Sequence, residues 1–211
     1  NYHSIAGTTV YYYIFNVTKG PLKDVRVRKA LTMAINKQEL VDKVTKGGQL
    51  PADSMIPVMA GYTPAKGTSF NADEAKKLLA EAGFPNGKGF PKLTVIYNTS
   101  EQHKTICEYI QQVWKTTLGI DVQIKNVEWK TFLDQRHNHD FEISRAGWVG
   151  DYQDPNTYTE MFITGGGNND GAYSNPKYDE LVRKAATLPG GAERMQVLHD
   201  AEEVLITQDQ A

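Results

Sequence analysis

Leu93-Thr94-Val95-Ile96-Tyr97-Asn98-Thr99-Ser100-Glu101-Gln102-His103 opens the segment that decides the fold. Its β-branched and aromatic start reads as a strand, Leu93–Tyr97, which breaks at an Asn-Thr-Ser turn. A long helix follows over Ser100–Leu118, with Ile106, Ile110, Val113 and Thr117 on one face, and Gly119 ends it. Ile120–Val127 then reads as strand, Trp129–His137 as helix and Phe141–Trp148 as strand. Strand-helix-strand-helix-strand predicts an α/β fold with a parallel core built from right-handed crossovers. In such sheets ligands gather beyond the carboxyl ends of the strands. Two stretches lie there, 98–103 and Val149–Pro155.

Outward from this core, Thr8–Asn16 reads as a further strand, and Val27, Leu31 and Ala34 recur at helical spacing between Asp24 and Ala34. Asn36 with Glu39 has the form of a capping box for a short helix to Thr45, stopped by Gly47-Gly48. The proline-rich stretch from Leu50 to Ser69 reads as a long irregular connection. Asn71 caps a helix over Ala72–Ala82, with Gly83 just past its end. Later helices are expected at Pro155–Ile163, at Lys177–Ala186 behind Asn175-Pro176, and from about Gly191 to beyond Ile206. No internal repeat, low-complexity tract or interdomain linker interrupts the chain.

The 211 residues carry a net charge of -2, which offers no electrostatic argument for nucleic acid or an anionic membrane. A hydrophobic content of 40% points to a folded globular chain, and no apolar run approaches the roughly 20 residues that span a bilayer. Cys107 stands alone, so an internal disulfide is impossible. The chain opens on Asn1-Tyr2-His3 and stops within a helical pattern at Gln208-Asp209-Gln210-Ala211, so both ends are expected to be cut.

Arg145-Ala146-Gly147-Trp148-Val149-Gly150-Asp151 concentrates a cation, an aromatic, two glycines and an anion at the end of the third core strand. Arg145 lies in line with Phe141 and Ile143, and is either a snorkelling edge residue or a buried cation awaiting a partner. Its planar fork would suit a carboxylate. Asp154 before Pro155 is explained as a helix N-cap, which leaves Asp151 without an obvious structural task. Trp148 and Trp129 could be core or ligand platforms. His103 falls in the first turn of its helix, where a backbone contact is as good a reading as ligand binding. His137-Asn138-His139-Asp140 resembles a metal cluster but straddles a helix end with no third ligand nearby, so surface histidines are the better reading. The glycines of 165–171 join two helices and lack the lysine and hydroxyl of a phosphate loop; they read as a mobile loop. Nothing assembles a nucleophile with its base.

Lys23-Asp24-Val25-Arg26-Val27-Arg28-Lys29-Ala30-Leu31, Tyr97–Lys104, Glu128–His137 and Arg145–Pro155 together resemble periplasmic oligopeptide-binding proteins. These are the substrate-binding components of peptide ABC importers, within the extracellular solute-binding family 5 that also holds dipeptide, murein-peptide, nickel and haem binders. The similarity covers essentially the whole chain. It implies a periplasmic-binding-protein-like lobe with a mostly parallel central sheet flanked by helices. Residues 1–211 would be the C-terminal lobe of a two-lobed protein hinged around its ligand, without the signal sequence, the N-terminal lobe and the final C-terminal strands.

Carried over by position, the resemblance implies that Asp151 binds a peptide's α-ammonium group. Arg145, with His103 and Arg136, would meet the peptide's carboxylate or its bridging waters. Ala146, Gly147, Trp148 and Val149 would pair with the peptide as an added strand, and Trp148 and Trp129 would line side-chain pockets. Where the family commonly has cysteine and alanine this chain has Val149 and Gly150, changes expected not to matter if only backbone is used there. The implied partners are short peptides and the membrane subunits of an ABC transporter. No enzyme activity, cofactor, metal or nucleic acid is expected, and the protein would be a periplasmic monomer, or a cell-surface lipoprotein in a host without an outer membrane. The alternatives are a carrier of haem, a metal chelate or murein peptides, and, in a different class, a peptidase. An exposed apolar face is expected around Trp129 and Trp148.

Overall fold

The structure is a computed structural model and describes residues 7–211. Its elements in order are β1 (Thr9–Phe15), α1 (Val25–Met33), α2 (Lys37–Glu39), α3 (Ala72–Glu81), β2 (Leu93–Asn98), α4 (Glu101–Leu118), β3 (Val122–Val127), α5 (Trp129–His137), β4 (Ile143–Val149), α6 (Asn156–Thr159), α7 (Pro176–Thr187) and α8 (Ala192–Glu203). The four strands form one sheet in the order β1-β4-β2-β3. β2 runs parallel to both β3 and β4, as two successive crossover units require, whereas β1 joins antiparallel to β4 at the edge. The sheet is therefore mostly parallel and flanked by helices, the α/β arrangement that the strand-helix alternation predicts.

Each sheet face buries a different helix set. On one, α4 presents Ile106, Cys107, Ile110, Trp114 and Leu118 to Leu93, Val95, Tyr97 and Ile143, and α1 and α3 pack behind it through Val27, Leu31, Ala75 and Leu79. Fully burying each such large side chain contributes about 1.5–3 kcal/mol, so this stripe fixes the helix more firmly than propensity could. Trp114 sits at the centre of that core and donates Nε1–H to Leu31 O at 2.8 Å. On the opposite face α5 inserts Phe132 among Ile14, Ile96, Val127, Phe141 and Ala146. A third core joins α6, α7 and α8 through Tyr158, Tyr178, Val182 and Leu198, with Val10, Tyr12 and Trp148 of the sheet packed against it.

Helix ends follow side-chain chemistry. Asn36, Asn71, Ser100 and Asn175 each accept a backbone N–H from the first turn they precede. Gly119, at φ +71, closes α4 in the left-handed conformation. Two expectations shift. The turn of helix through Thr45 is closed by Lys46 in the left-handed region rather than by Gly47-Gly48, and the helix expected over Pro155–Ile163 divides into α6 and a tighter turn over Glu160–Phe162.

One buried carboxylate organises the middle of the irregular connection of residues 50–69, which Lys37–Asp53 and His199–Thr63 also tie to the fold. Glu202 of α8 accepts from the Ile56 amide (2.7 Å), the Ala65 amide (2.7 Å) and the Tyr62 hydroxyl (2.6 Å). Replacing Glu202 with alanine orphans these three buried donors, each costing about 1–3 kcal/mol. We expect Glu202→Ala to lower unfolding stability by about 3 kcal/mol or more and to speed amide exchange at Ile56 and Ala65 while leaving β2 protected. Unchanged exchange at those two amides would contradict this role.

Candidate functional site

β4 is held unevenly by its two neighbours. β1 pairs along all of it, from Phe15↔Ile143 to Thr9↔Val149, but β2 matches it only at Val95↔Ile143 and Ile96↔Ser144. Glu142 O accepts from the Asn16 amide (2.9 Å) and the Gly150 amide donates to Thr8 O (3.0 Å), so the even-numbered positions of this strand point their backbone groups at β1. Beyond the β2 pairing, the odd positions Gly147 and Val149 direct N–H and C=O the other way. Among the described residues no strand takes them up. Gly147 and Val149 are exposed, the latter at 63%.

The side chains of the odd positions face α4. After the buried Ile143 comes Arg145, opposite Tyr13, and then Gly147, opposite Tyr11. With no Cβ at Gly147, the guanidinium of Arg145 folds along the strand over the Tyr11 ring, its carbon 4.9 Å from the ring centroid. A Cβ added at Gly147 would lie 3.3 Å from Arg145 Nη2. Nη1 donates to Asn98 Oδ1 at 3.3 Å, while Nε is buried with no acceptor. Among the described residues no carboxylate pairs with this cation.

His103 lies beside the same ring, its Nδ1 3.3 Å from the Tyr11 hydroxyl. Burial, reinforced by the charge of Arg145, pushes its pKa down to about 4, so the ring is neutral at physiological pH. Burial also pushes the Cys107 thiol up to about 11, with Tyr13 Oη 3.2 Å from its Sγ. The neutral imidazole, thiol and phenols leave the charge of Arg145 uncompensated at this end of the sheet.

Asp151 stands just past β4, exposed, and its amide donates to Thr157 Oγ1 at 3.2 Å. Its carboxylate has no partner among the described residues. Asp154 is engaged: it accepts from the Asn156 amide (2.9 Å) and pairs with Arg194 (2.5 Å). The expected cap shifts by one residue: Pro155 takes the N-cap position of α6, and Asp154 just before it is held by the Asn156 amide and by a salt bridge the sequence did not announce.

The other predicted positions divide. Trp129, at the start of α5, is 51% exposed and stacks on Phe132 at 6.0 Å, so it lies on the same rim beyond the carboxyl ends of the strands. Trp148 corrects the expectation of an exposed tryptophan pair. It points to the opposite face from Arg145, donates Nε1–H to Thr157 Oγ1 (3.3 Å) and packs on the α6–α8 core. Arg136 is not brought to the cluster either. It sits on the α5 side of the sheet, paired at 2.5 Å with the buried Asp170, which also holds His137 Nδ1 at 3.1 Å. The histidine cluster near residue 137 thereby anchors the glycine-rich loop. Gly150 also departs from expectation: an added Cβ would meet the Tyr158 hydroxyl at 2.7 Å, so an alanine there forces a shift even if the backbone alone is used. Asn98, which holds Arg145, lies in one of the two stretches the sequence marks for a ligand; Tyr11 and Thr157, which hold Arg145, Trp148 and Asp151, were not singled out and emerge only from the fold.

An α/β lobe with an open strand edge flanked by an unpaired cation and an unpaired anion has the architecture of a solute-binding domain. The chain belongs to the bacterial extracellular solute-binding proteins of family 5: the model described as "Bacterial extracellular solute-binding proteins, family 5 Middle" matches residues 1–170. It is 37% identical over 211 residues to the oligopeptide-binding protein OppA of Bacillus subtilis, covering 96% of this chain and 38% of that protein. It is 39% identical to the periplasmic murein peptide-binding protein MppA of Escherichia coli, covering 94% and 38%. A crystal structure of a periplasmic oligopeptide-binding protein, OppAIV, from Borrelia burgdorferi superposes with a TM-score of 0.91 at 40% identity, over 96% of this chain and 41% of that one. The chain therefore spans about two fifths of the length of these relatives.

The neutral state of His103 can be checked directly. Its ring resonances should titrate with a midpoint of about 4, and Arg145→Gln should raise that midpoint while leaving it below the usual 6.5, because burial is the larger cause. The unfolded chain takes up this proton first, so His103 costs the fold stability as pH falls from 6.5 through about 4, and nothing above that window. A ring titrating near 6.5 in the folded protein would contradict the geometry.

Proposed function

We propose that this chain, residues 1–211, is the C-terminal lobe of a two-lobed binding protein that captures short peptides for an ABC importer. The observation that carries the reading is the half-paired β4, whose Gly147 and Val149 offer free backbone groups between the unpaired charges of Arg145 and Asp151. A peptide backbone is the ligand that matches all three features at once. Its main chain adds as a strand, with hydrogen bonds that every sequence can make. Its ammonium meets Asp151 and its carboxylate meets Arg145, with the neutral His103 beside it. Because the cation precedes the anion along β4, the peptide runs antiparallel to that strand. Trp129 supplies an exposed platform for side chains, and water can bridge where contacts are loose at little cost.

The relatives named oligopeptide-binding and murein peptide-binding proteins support a peptide rather than a haem or metal carrier, and both of those ligand classes carry free carboxylates. The relatives' names as binding proteins, and the lack of a nucleophile joined to a base among the described residues, support binding over hydrolysis. A monomer in the periplasm, or tethered at the cell surface, working with the membrane subunits of its transporter completes the reading. The second lobe would close over the peptide by a hinge motion that the ligand stabilises.

In the full-length protein, Asp151→Asn should weaken binding of trialanine about tenfold or more, since an enclosed charge loses its partner. N-acetyl-trialanine, which lacks the ammonium group, should be indifferent to the change. Calorimetry showing unchanged trialanine affinity would sink the assignment. The 211-residue chain alone, holding half the contacts, should bind trialanine more weakly than micromolar; micromolar or tighter affinity would contradict the two-lobed site.

A further inference from the structure

We infer that Tyr11 is a positioning residue for the carboxylate end of the ligand, setting Arg145 at the open edge of β4. The inference rests on the peptide reading above and deepens it. An arginine at position 145 has a long, freely rotating side chain, and nothing charged holds it: among the described residues its polar anchor is one Asn98 contact at 3.3 Å, near the outer limit of a hydrogen bond. What fixes the guanidinium is a flat surface. Tyr11 opposes Gly147, two positions beyond Arg145, so its ring occupies the diagonal place that a long side chain at 145 can reach. The missing Cβ at Gly147 leaves room for the guanidinium to lie there. Tyr11 is itself braced, edge-on to Tyr13 with centroids 6.0 Å apart and against His103 at 5.6 Å, with its hydroxyl at His103 Nδ1. At 38% exposure it is also at the rim, where a ligand's terminus would arrive.

The choice of an aromatic over an acid here has a physical reason. An aspartate in place of Tyr11 would hold Arg145 as firmly but would neutralise it, and an incoming carboxylate would then have to displace a competitor. A ring face attracts the cation through its quadrupole and leaves the N–H edges free to donate. The site is thereby ordered and yet still electrostatically vacant.

The test compares trialanine with trialanine amide, which lacks the carboxylate, by calorimetry on the full-length protein. Wild type should prefer the acid. Tyr11→Leu should cut the acid-to-amide affinity ratio by roughly fivefold, what a contact of this kind typically supplies, with the acid losing more than the amide. Tyr11→Phe, which keeps the ring face, should retain most of the preference. In an Arg145→Met background, Tyr11→Leu should have no further effect on the ratio. Should Tyr11→Leu fail to fold, Tyr11→Met carries the same comparison. A ratio that stays at the wild-type value, or acid and amide weakening equally, would overturn the inference while leaving the peptide reading intact. No acid preference in wild type would remove the Arg145 assignment itself.

Discussion

The structure turns on the unequal sharing of one strand. β4 is central in sheet order, and a central strand ordinarily has both rows of backbone groups taken. Here β1 satisfies one row throughout, while β2 parts from it after Ser144. β2 ends at Asn98, where Ser100 caps α4, so the chain turns into the helix before it can follow β4 outward. The gap is thus a product of how early one helix starts. α4, α1 and α3 hold that start in place through a core that includes Trp114 and Leu31, far from the site itself.

Electrostatics follow from the same geometry. With α4, which carries His103 and Cys107, close against Tyr11 and Tyr13, burial pushes all four of these neighbours of Arg145 toward their uncharged forms. A charge among neutral polar groups keeps its field, because nothing nearby cancels it. At the other end, Asp151 has no ion-pair partner among the described residues, whereas Asp154 three positions on is paired with Arg194. Opposite charges are kept apart by a stretch of strand with no side-chain chemistry of its own at Gly147.

Much of this was legible in the residues. The β-α alternation from Leu93 onward gives the parallel core, and the capping pattern gives helix starts to within a residue or two. Asp151 could be told from Asp154 because Pro155 marks a helix start, where Asp154 accepts the Asn156 amide although Pro155 itself takes the cap position. What stayed hidden depends on contacts far apart in sequence. Trp129 and Trp148 are chemically alike, yet one faces solvent and the other the α6–α8 core, a difference decided by the face that strand parity assigns and by Thr157. Arg136 reads as a free cation until Asp170, 34 positions on, returns through the glycine-rich loop to meet it. Tyr11 reads as one of three consecutive tyrosines, and only the antiparallel register with β4 selects it. Likewise nothing in 50–69 indicates that a glutamate beyond residue 200 organises it.

An open strand edge is also a hazard, since the backbone that accepts one extended chain will accept another, including a second copy of itself. The uncommitted positions of β4 are few, Gly147 and Val149, and a charged residue stands on either side of them. A template so short pairs weakly with a foreign strand, because two open positions offer few ladder hydrogen bonds. Brevity therefore guards against self-association: the early start of one helix opens the edge of β4, and the short length of that opening keeps it from templating a second chain.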